Sequence, residues 1–224
     1  YARLRGAQVL WGRCYEGDGA PAYWPWVQAI RAYAHERDAE ALRSELGAGA
    51  PDIAQVVSEV HEQLPDLPTP ATLEPAQARF RLFDSITTFL KNAARSQPLV
   101  VILDDLHWAD KPSLLLLQFV ARGLSGTRLL LVGTYRDVEV SRQHPLSSTL
   151  AELAREQLSQ RVVLRGLGER EVARFIEVSC GVAPPEGLAS AVLKETEGNP
   201  FFMKEVVNLL AREGRLLKES PTAA

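Results

Sequence analysis

The sequence has few of the residues and patterns that mark specialised protein classes. Only two of its 224 residues are cysteines, Cys14 and Cys180, and they form neither a C-x-x-C pair nor a Cys/His cluster. A disulfide framework and a thiolate metal site are therefore both disfavoured, and a reducing, cytoplasmic setting is expected. No apolar run approaches the roughly 18 residues that indicate a membrane span, and no signal-peptide pattern is found. We expect no membrane partner.

Positive charge is also scarce. Lys and Arg number 25 against 28 Asp and Glu, the formal net charge is −3 at pH 7, and no run of five basic residues occurs. A surface that neutralises nucleic-acid phosphates needs clustered Lys and Arg, so direct nucleic-acid binding by this segment is not expected. The 46% hydrophobic and 24% charged content is typical of a globular protein, and the length suits one large domain or a core with a small second domain.

The most informative segment covers residues 99–110 and reads LVVILDDLHWAD. Residues 99–103 are five apolar residues without Gly or Pro, which is typical of a parallel strand buried on both faces. Asp104 and Asp105 follow at its carboxyl end, the edge where open α/β sheets bind ligands. One carboxylate can hold Mg²⁺ while the next orients or deprotonates an attacking water. The alternative is that these acidic residues cap the next helix, and Asp110 is itself a plausible N-cap.

The pattern along the chain predicts an α/β fold with a parallel sheet, because helical segments separate the strands. Strands are predicted at residues 8–13, 99–103, 128–136 and 161–164, and helices at residues 26–33, 38–46, 53–63, 77–94, 114–124, 169–180, 188–195 and 200–212. On the helix at 77–94, one face carries Phe80, Phe83, Ile86 or Thr87, and Leu90, and should pack against the sheet. Residues 64–75 contain four prolines and are predicted to be a surface linker.

The last part of the chain is wholly helical in pattern. This shift predicts a core at residues 1–166 and a small helical domain at residues 167–224. Arg136 ends the predicted strand at 128–136 and would face the same crevice as Asp104, where it could reach a γ-phosphate. The alternative is a surface arginine paired with Asp137 or Glu139.

Five segments follow one another in a characteristic order: LVVILDDLHWADKPS, LLLVGTYRDVEV, HPLSSTLAELARE, RVVLRGLGEREVARFI and TEGNPFFMKEVVNLLAREGRL. With these segments the chain resembles, over nearly its whole length, the ATPase module of STAND-type signalling proteins. These are AAA-like P-loop ATPases, such as large LuxR-family and SARP-type transcriptional regulators and the ATPase regions fused to bacterial adenylate cyclases. His107, Trp108 and Asp110 complete the DDLHWAD signature, which is expected to shape its loop.

The resemblance implies a parallel-sheet P-loop NTPase core followed by a helical lid domain, with ATP or ADP and Mg²⁺ as cofactors. Asp104 matches the Walker B aspartate associated with Mg²⁺, and Asp105 matches the second acidic position, which orients the attacking water. Arg136 matches the sensor arginine that reads the γ-phosphate. Asn199 and Pro200 match the motif where the helical domain folds back over the nucleotide, although a proline also suits any helix start.

One part of the family pattern is missing. A P-loop needs G-x-x-x-x-G-K-[ST] to hold the phosphates, and none of the five lysines follows a glycine. The family places this Walker A motif and its strand just before the region matching Tyr1, so residues 1–6 resemble the tail of the helix that the P-loop opens. The sequence therefore predicts a fragment that lacks a central strand, between those at 128 and 161, and that exposes two sheet edges.

Three hypotheses for function follow. The first is that the chain is part of an ATP-dependent signalling switch. Its partners would be ATP and the sensor and output domains of a longer chain, and a homo-oligomer is also possible. The second is a catalytically inactive interaction or autoinhibitory scaffold derived from the same fold, which an upstream Gly-Lys-Ser/Thr would argue against. The third is a phosphoacceptor receiver-like domain, which fits poorly because the acidic pair falls late and no lysine ends a later strand. The first is favoured.

Overall fold

The computed structural model describes residues 1–17 and 19–213. The chain divides into two compact units, Tyr1–Gln160 and Arg161–Ala224. The second unit begins at Arg161, whereas the predicted helical domain begins at residue 167. Residues 214–224, which were included in that predicted domain, lie outside the described residues.

The first unit is built on a sheet of three parallel strands. They are β1 (Gln8–Arg13), β2 (Leu99–Asp104) and β3 (Leu129–Gly133), in the order β1-β2-β3. Trp11 aligns with Ile102 and Val132, so side chains at these positions share one face. The predicted α/β class with a parallel sheet is confirmed, and it follows from strands that are separated in sequence by helices.

The described residues of this unit form seven α-helices. They are α1 (Trp24–His35), α2 (Ala39–Leu46), α3 (Ala50–Ile53), α4 (Ser58–Gln63), α5 (Pro75–Ser96), α6 (Lys111–Arg122) and α7 (Pro145–Arg155). Helices α1 and α5 pack against the sheet, and Leu10, Val101 and Leu103 lie on the face that they cover. The core therefore lies between one face of the sheet and this helical layer.

The opposite face of the sheet is largely uncovered. Trp11 is 54% exposed, Leu130 56% and Val132 36%, and all three are on this face. Along β2, buried residues alternate with half-buried ones. The prediction that this strand is buried on both faces is wrong, because the helices of the first unit cover only one face. We call this surface the open face, defined by Trp11, Ile102, Leu130 and Val132.

Three further predictions need correction. The predicted strand at residues 161–164 is irregular, with Val162 and Leu164 exposed, because the described residues of its own unit include no strand with which it could pair. The helix predicted at 53–63 is split into α3 and α4, since Val57 adopts an extended backbone and inserts fully into the core. Phe80 does not pack on the sheet; it is 62% exposed and contacts Phe119 of α6 edge to face.

The second unit is a small helical cluster. It contains α8 (Glu169–Cys180), α9 (Leu188–Thr196) and α10 (Pro200–Arg212), within a turn of the predicted helices. Among its described residues, the core consists of five buried side chains contributed by all three helices, which are Val172, Ile176, Val192, Met203 and Val207. Across the part of the chain that the structure describes, no helix combines the length and the apolar character that a membrane crossing requires.

Candidate functional site

Asp104 and Asp105 lie where β2 ends and are held by Thr134, which follows β3. The Thr134 hydroxyl donates to Oδ1 of Asp104 at 2.5 Å and accepts the backbone N–H of Asp105 at 3.1 Å. Asp105 has a left-handed backbone (φ 58°, ψ 44°), which Asp tolerates better than most residues. This turn separates the two carboxylates, so that each has its own partners. Thr134 was not among the residues predicted for the site, although it lies in the polar end of the strand predicted at residues 128–136.

Arg13, the last residue of β1, pairs with Asp105. Its Nε and Nη2 both lie 2.8 Å from Oδ2 of Asp105. The backbone of Arg13 is held in turn by Gln28 of α1, whose Nε2 donates to the Arg13 carbonyl at 2.8 Å. Arg13 was not among the predicted site residues either. An arginine at the carboxyl end of a predicted parallel strand, at the edge shared with an acidic pair, was the available signal.

His107 lies beneath the acidic turn, with its side chain wholly buried. Its Nδ1 accepts the backbone N–H of Arg136 at 3.4 Å, and its carbonyl contacts Nε2 of His144 at 3.0 Å. Its Nε2 lies 3.9 Å from Oδ1 of Asp105 and 3.6 Å from Oε2 of Glu139. The side chain therefore lies between the acidic pair and the loop that follows β3.

The backbone of Arg136 is close to this cluster, but its side chain is engaged elsewhere. Nη1 pairs with Oε1 of Glu139 at 3.1 Å, and the guanidinium carbon lies 5.9 Å from the ring centroid of Trp108. The surface pairing with Glu139, one of the two sequence-based interpretations, is thus what the structure contains. Because the ion pair is exposed, its stabilisation is small and the side chain can exchange partners at little cost.

Asp110, and not the acidic pair, caps the next helix. Its Oδ1 accepts the backbone N–H of Ser113 at 2.9 Å, and Asp105 makes no side-chain cap. The charges of these three carboxylates, Asp104, Asp105 and Asp110, also act on Cys14. Burial, with these three charges adding to it, raises the pKa of the Cys14 thiol to about 12. Cys14 is therefore an unreactive core thiol.

Asn199 and Pro200 begin α10 within the second unit. Oδ1 of Asn199 accepts the backbone N–H of Phe201 at 3.0 Å, and Pro200 occupies the first turn. Both residues act as helix-start residues in this structure, which matches the simpler of the two interpretations for Pro200.

A family model described as "AAA ATPase domain" matches residues 1–132, more than half of the chain. The chain belongs to the AAA ATPase domain family. Members of this family generally bind ATP or ADP with Mg²⁺. Comparisons with curated proteins and with solved structures gave no match.

The matched part of the AAA ATPase domain contains Arg13, Asp104, Asp105 and His107, whereas Arg136, Asn199 and Pro200 lie beyond it. Within the described residues, no group of three or more His, Cys, Asp and Glu side chains is arranged as a complete metal cage. Mg²⁺ does not require one, because it typically takes one or two carboxylates and completes its shell with water and phosphate oxygens. The carboxylates of Asp104 and Asp105 at the carboxyl edge of the sheet therefore fit Mg²⁺.

Proposed function

We propose that this AAA ATPase domain is part of a STAND-type signalling ATPase. In this proposal the bound nucleotide sets the position of a helical lid, formed by the second unit, and thereby controls an output domain of a longer chain. The outputs of the proteins that the sequence resembles are transcriptional regulation and adenylate cyclase activity. The observation that carries the proposal is the arrangement of Asp104, Asp105 and Thr134 at the carboxyl edge of a parallel sheet in an AAA ATPase domain.

Each candidate residue has a role in this proposal. Asp104 holds Mg²⁺, which when bound neutralises phosphate charge. Asp105 orients the water that attacks the γ-phosphate, and Arg136 exchanges its exposed partner Glu139 for that phosphate. Asn199 and Pro200 present the start of α10 to the nucleotide.

The hydrogen bond from Thr134 supports the role of Asp104, because it fixes one carboxylate oxygen and so orients the group.

We also propose that a Walker A strand and its helix complete the sheet. Purely parallel sheets are normally covered on both faces, and the open face carries Trp11, Leu130 and Val132 in contact with solvent. In the sheet of the described residues, β3 pairs only with β2, so its other edge can accept a strand. A strand beside β3, followed by a helix on the open face, would bury these side chains.

The second candidate function is an inactive scaffold of the same fold. It is favoured by the ion pair between Arg13 and Asp105, which occupies the carboxylate proposed to orient water. The two candidates differ in whether a chain that carries Walker A hydrolyses ATP.

The test compares the 224-residue chain with a longer chain that carries the proposed strand and Walker A. Calorimetry should find weak or no MgATP binding by the shorter chain, because its carboxylates lack the backbone N–H groups and the lysine that hold phosphates. The longer chain should bind MgATP and release phosphate. There, Asp105→Asn should slow turnover and leave affinity unchanged, since Asp104 remains.

Two results would decide against parts of this proposal. Submicromolar ATP affinity in the 224-residue chain would show that its phosphate site lies elsewhere. Binding without phosphate release in the longer chain would favour the scaffold. Asp137→Asn, an exposed acidic residue after Arg136, is the matched control and should change neither binding nor turnover.

A further inference from the structure

One ring nitrogen of His107 forms a hydrogen bond, and the other does not. Nδ1 accepts the backbone N–H of Arg136, which places the ring proton on Nε2. This Nε2 is buried and, among the described residues, has no hydrogen-bond partner. A buried donor without a partner is costly and calls for an explanation.

The unused nitrogen points toward two carboxylates. Nε2 lies 3.9 Å from Oδ1 of Asp105 and 3.6 Å from Oε2 of Glu139. Both distances are beyond a good hydrogen bond, yet a shift of about 1 Å would form one. Each carboxylate is also held by an arginine, Arg13 for Asp105 and Arg136 for Glu139.

The ring itself has little freedom to move. His144, the N-cap of α7, contacts the His107 carbonyl at 3.0 Å, and Trp108 packs with its ring centroid 4.5 Å from that of His107. The shift must therefore come from the carboxylates, whose arginine partners are exposed.

We infer that His107 is a positioning residue for ATP turnover, which couples Asp105 to the Arg136 segment. This inference rests on the proposed function. When Asp105 leaves Arg13, Nε2–H of His107 donates to Oδ1 and holds the carboxylate in the orientation that the attacking water needs. Because Nδ1 of the same ring holds the backbone of Arg136, a movement of that segment toward a γ-phosphate is transmitted to Asp105.

Two substitutions distinguish the contributions of the two ring nitrogens, because each retains only one of their hydrogen-bonding groups. His107→Asn places an amide oxygen near the position of Nδ1, where it can accept the Arg136 N–H, but it has no donor at Nε2. His107→Gln places an amide N–H near Nε2 and lacks the acceptor at Nδ1. In the longer, Walker A-containing chain we expect His107→Asn to lower kcat by about tenfold or more, with the Kd for MgATP unchanged. His107→Gln should retain more of the turnover than His107→Asn.

A spectroscopic readout on the 224-residue chain is independent of activity. Long-range ¹H–¹⁵N spectra should show His107 with the proton on Nε2, and Asp105→Asn should shift that Nε2 signal. His107→Asn should move the ¹³C signal of the Asp105 carboxyl, whereas His107→Gln should move it less. Two results would overturn the inference: a proton on Nδ1 of His107, or an Nε2 signal that shifts with Glu139→Gln but not with Asp105→Asn. Neither result depends on whether a His107 variant folds.

The kinetics separate this inference from the proposed function. If Asp105→Asn slows turnover but His107→Asn does not, the coupling role of His107 fails and the proposed function stands. If Asp105→Asn leaves turnover intact, the proposed function fails, and the inference that rests on it fails as well.

Discussion

Asp104 and Asp105 are adjacent in the sequence but are held by side chains from different strands. Thr134, after β3, fixes Asp104, and Arg13, at the end of β1, pairs with Asp105. Each partner comes from a strand that neighbours β2, on opposite sides. At the scale of residues, the site is therefore a product of strand order as much as of the DDLHWAD motif.

Strand β1 and helix α1 approach each other closely at Gly12. A Cβ at this position would lie 1.8 Å from the carbonyl oxygen of Pro25, and backbone cannot move aside as a flexible side chain can. Gly12→Ala should lower the free energy of unfolding by about 3 kcal/mol or more, measured by urea denaturation. Gly168→Ala is the control, because its nearest contact is a flexible Glu171 side-chain oxygen at 3.4 Å. An equal loss in both variants would contradict the close approach.

Cys14 should resist alkylation. The thiolate is the reactive form, and a pKa of about 12, caused first by burial and then by Asp110, Asp105 and Asp104, leaves almost none of it at pH 8. Iodoacetamide followed by mass spectrometry should label Cys180, which is half-buried, well before Cys14. In urea the two residues should react alike. Rapid labelling of Cys14 in the folded chain would show that the thiol is accessible.

At the scale of elements, helix α6 depends on Asp110 for its start. The Asp110 carboxylate accepts the N–H of Ser113, which would otherwise be one of the unpaired donors at the helix end. Asp110→Ala should destabilise the first unit by about 1 kcal/mol, measured by thermal or urea unfolding. Asp110→Asn, which retains a capping oxygen, should lose less. An equal loss for both variants would mean that the charge, and not the cap, stabilises the helix.

At the scale of the whole molecule, the open face governs the behaviour of the chain in solution. Trp11, Leu130 and Val132 form an apolar surface of a kind that promotes association. We expect the 224-residue chain to bind a hydrophobic dye and to self-associate, as measured by fluorescence and sedimentation. Leu130→Gln combined with Val132→Thr should reduce both. Val138→Thr is the control, since Val138 is exposed outside the sheet, and an equal effect of that substitution would argue against the open face.

The elements that the sequence predicted correctly depend on local signals. β1 and α8 match their predicted ranges, because an apolar strand pattern and a helical period need no distant partner to be recognised. The predicted strand at residues 161–164 did not form, because a strand also needs a neighbour. Phe80 was misplaced for a related reason: periodicity identifies a helix face but not the element against which each residue of that face packs.

The position of Asp104 and Asp105 at the end of a parallel strand could be predicted, since an apolar run followed by polar residues is a local pattern. The side chains that contact them could not be predicted in the same way. Thr134 and Arg13 reach the acidic pair because β1 and β3 flank β2, and His107 lies below it because the turn at Asp105 directs the ring inward. Hydrogen bonds and ion pairs act over a few ångströms, so strand order and packing decide which side chains become partners. The spacing of residues along the chain does not reveal that order.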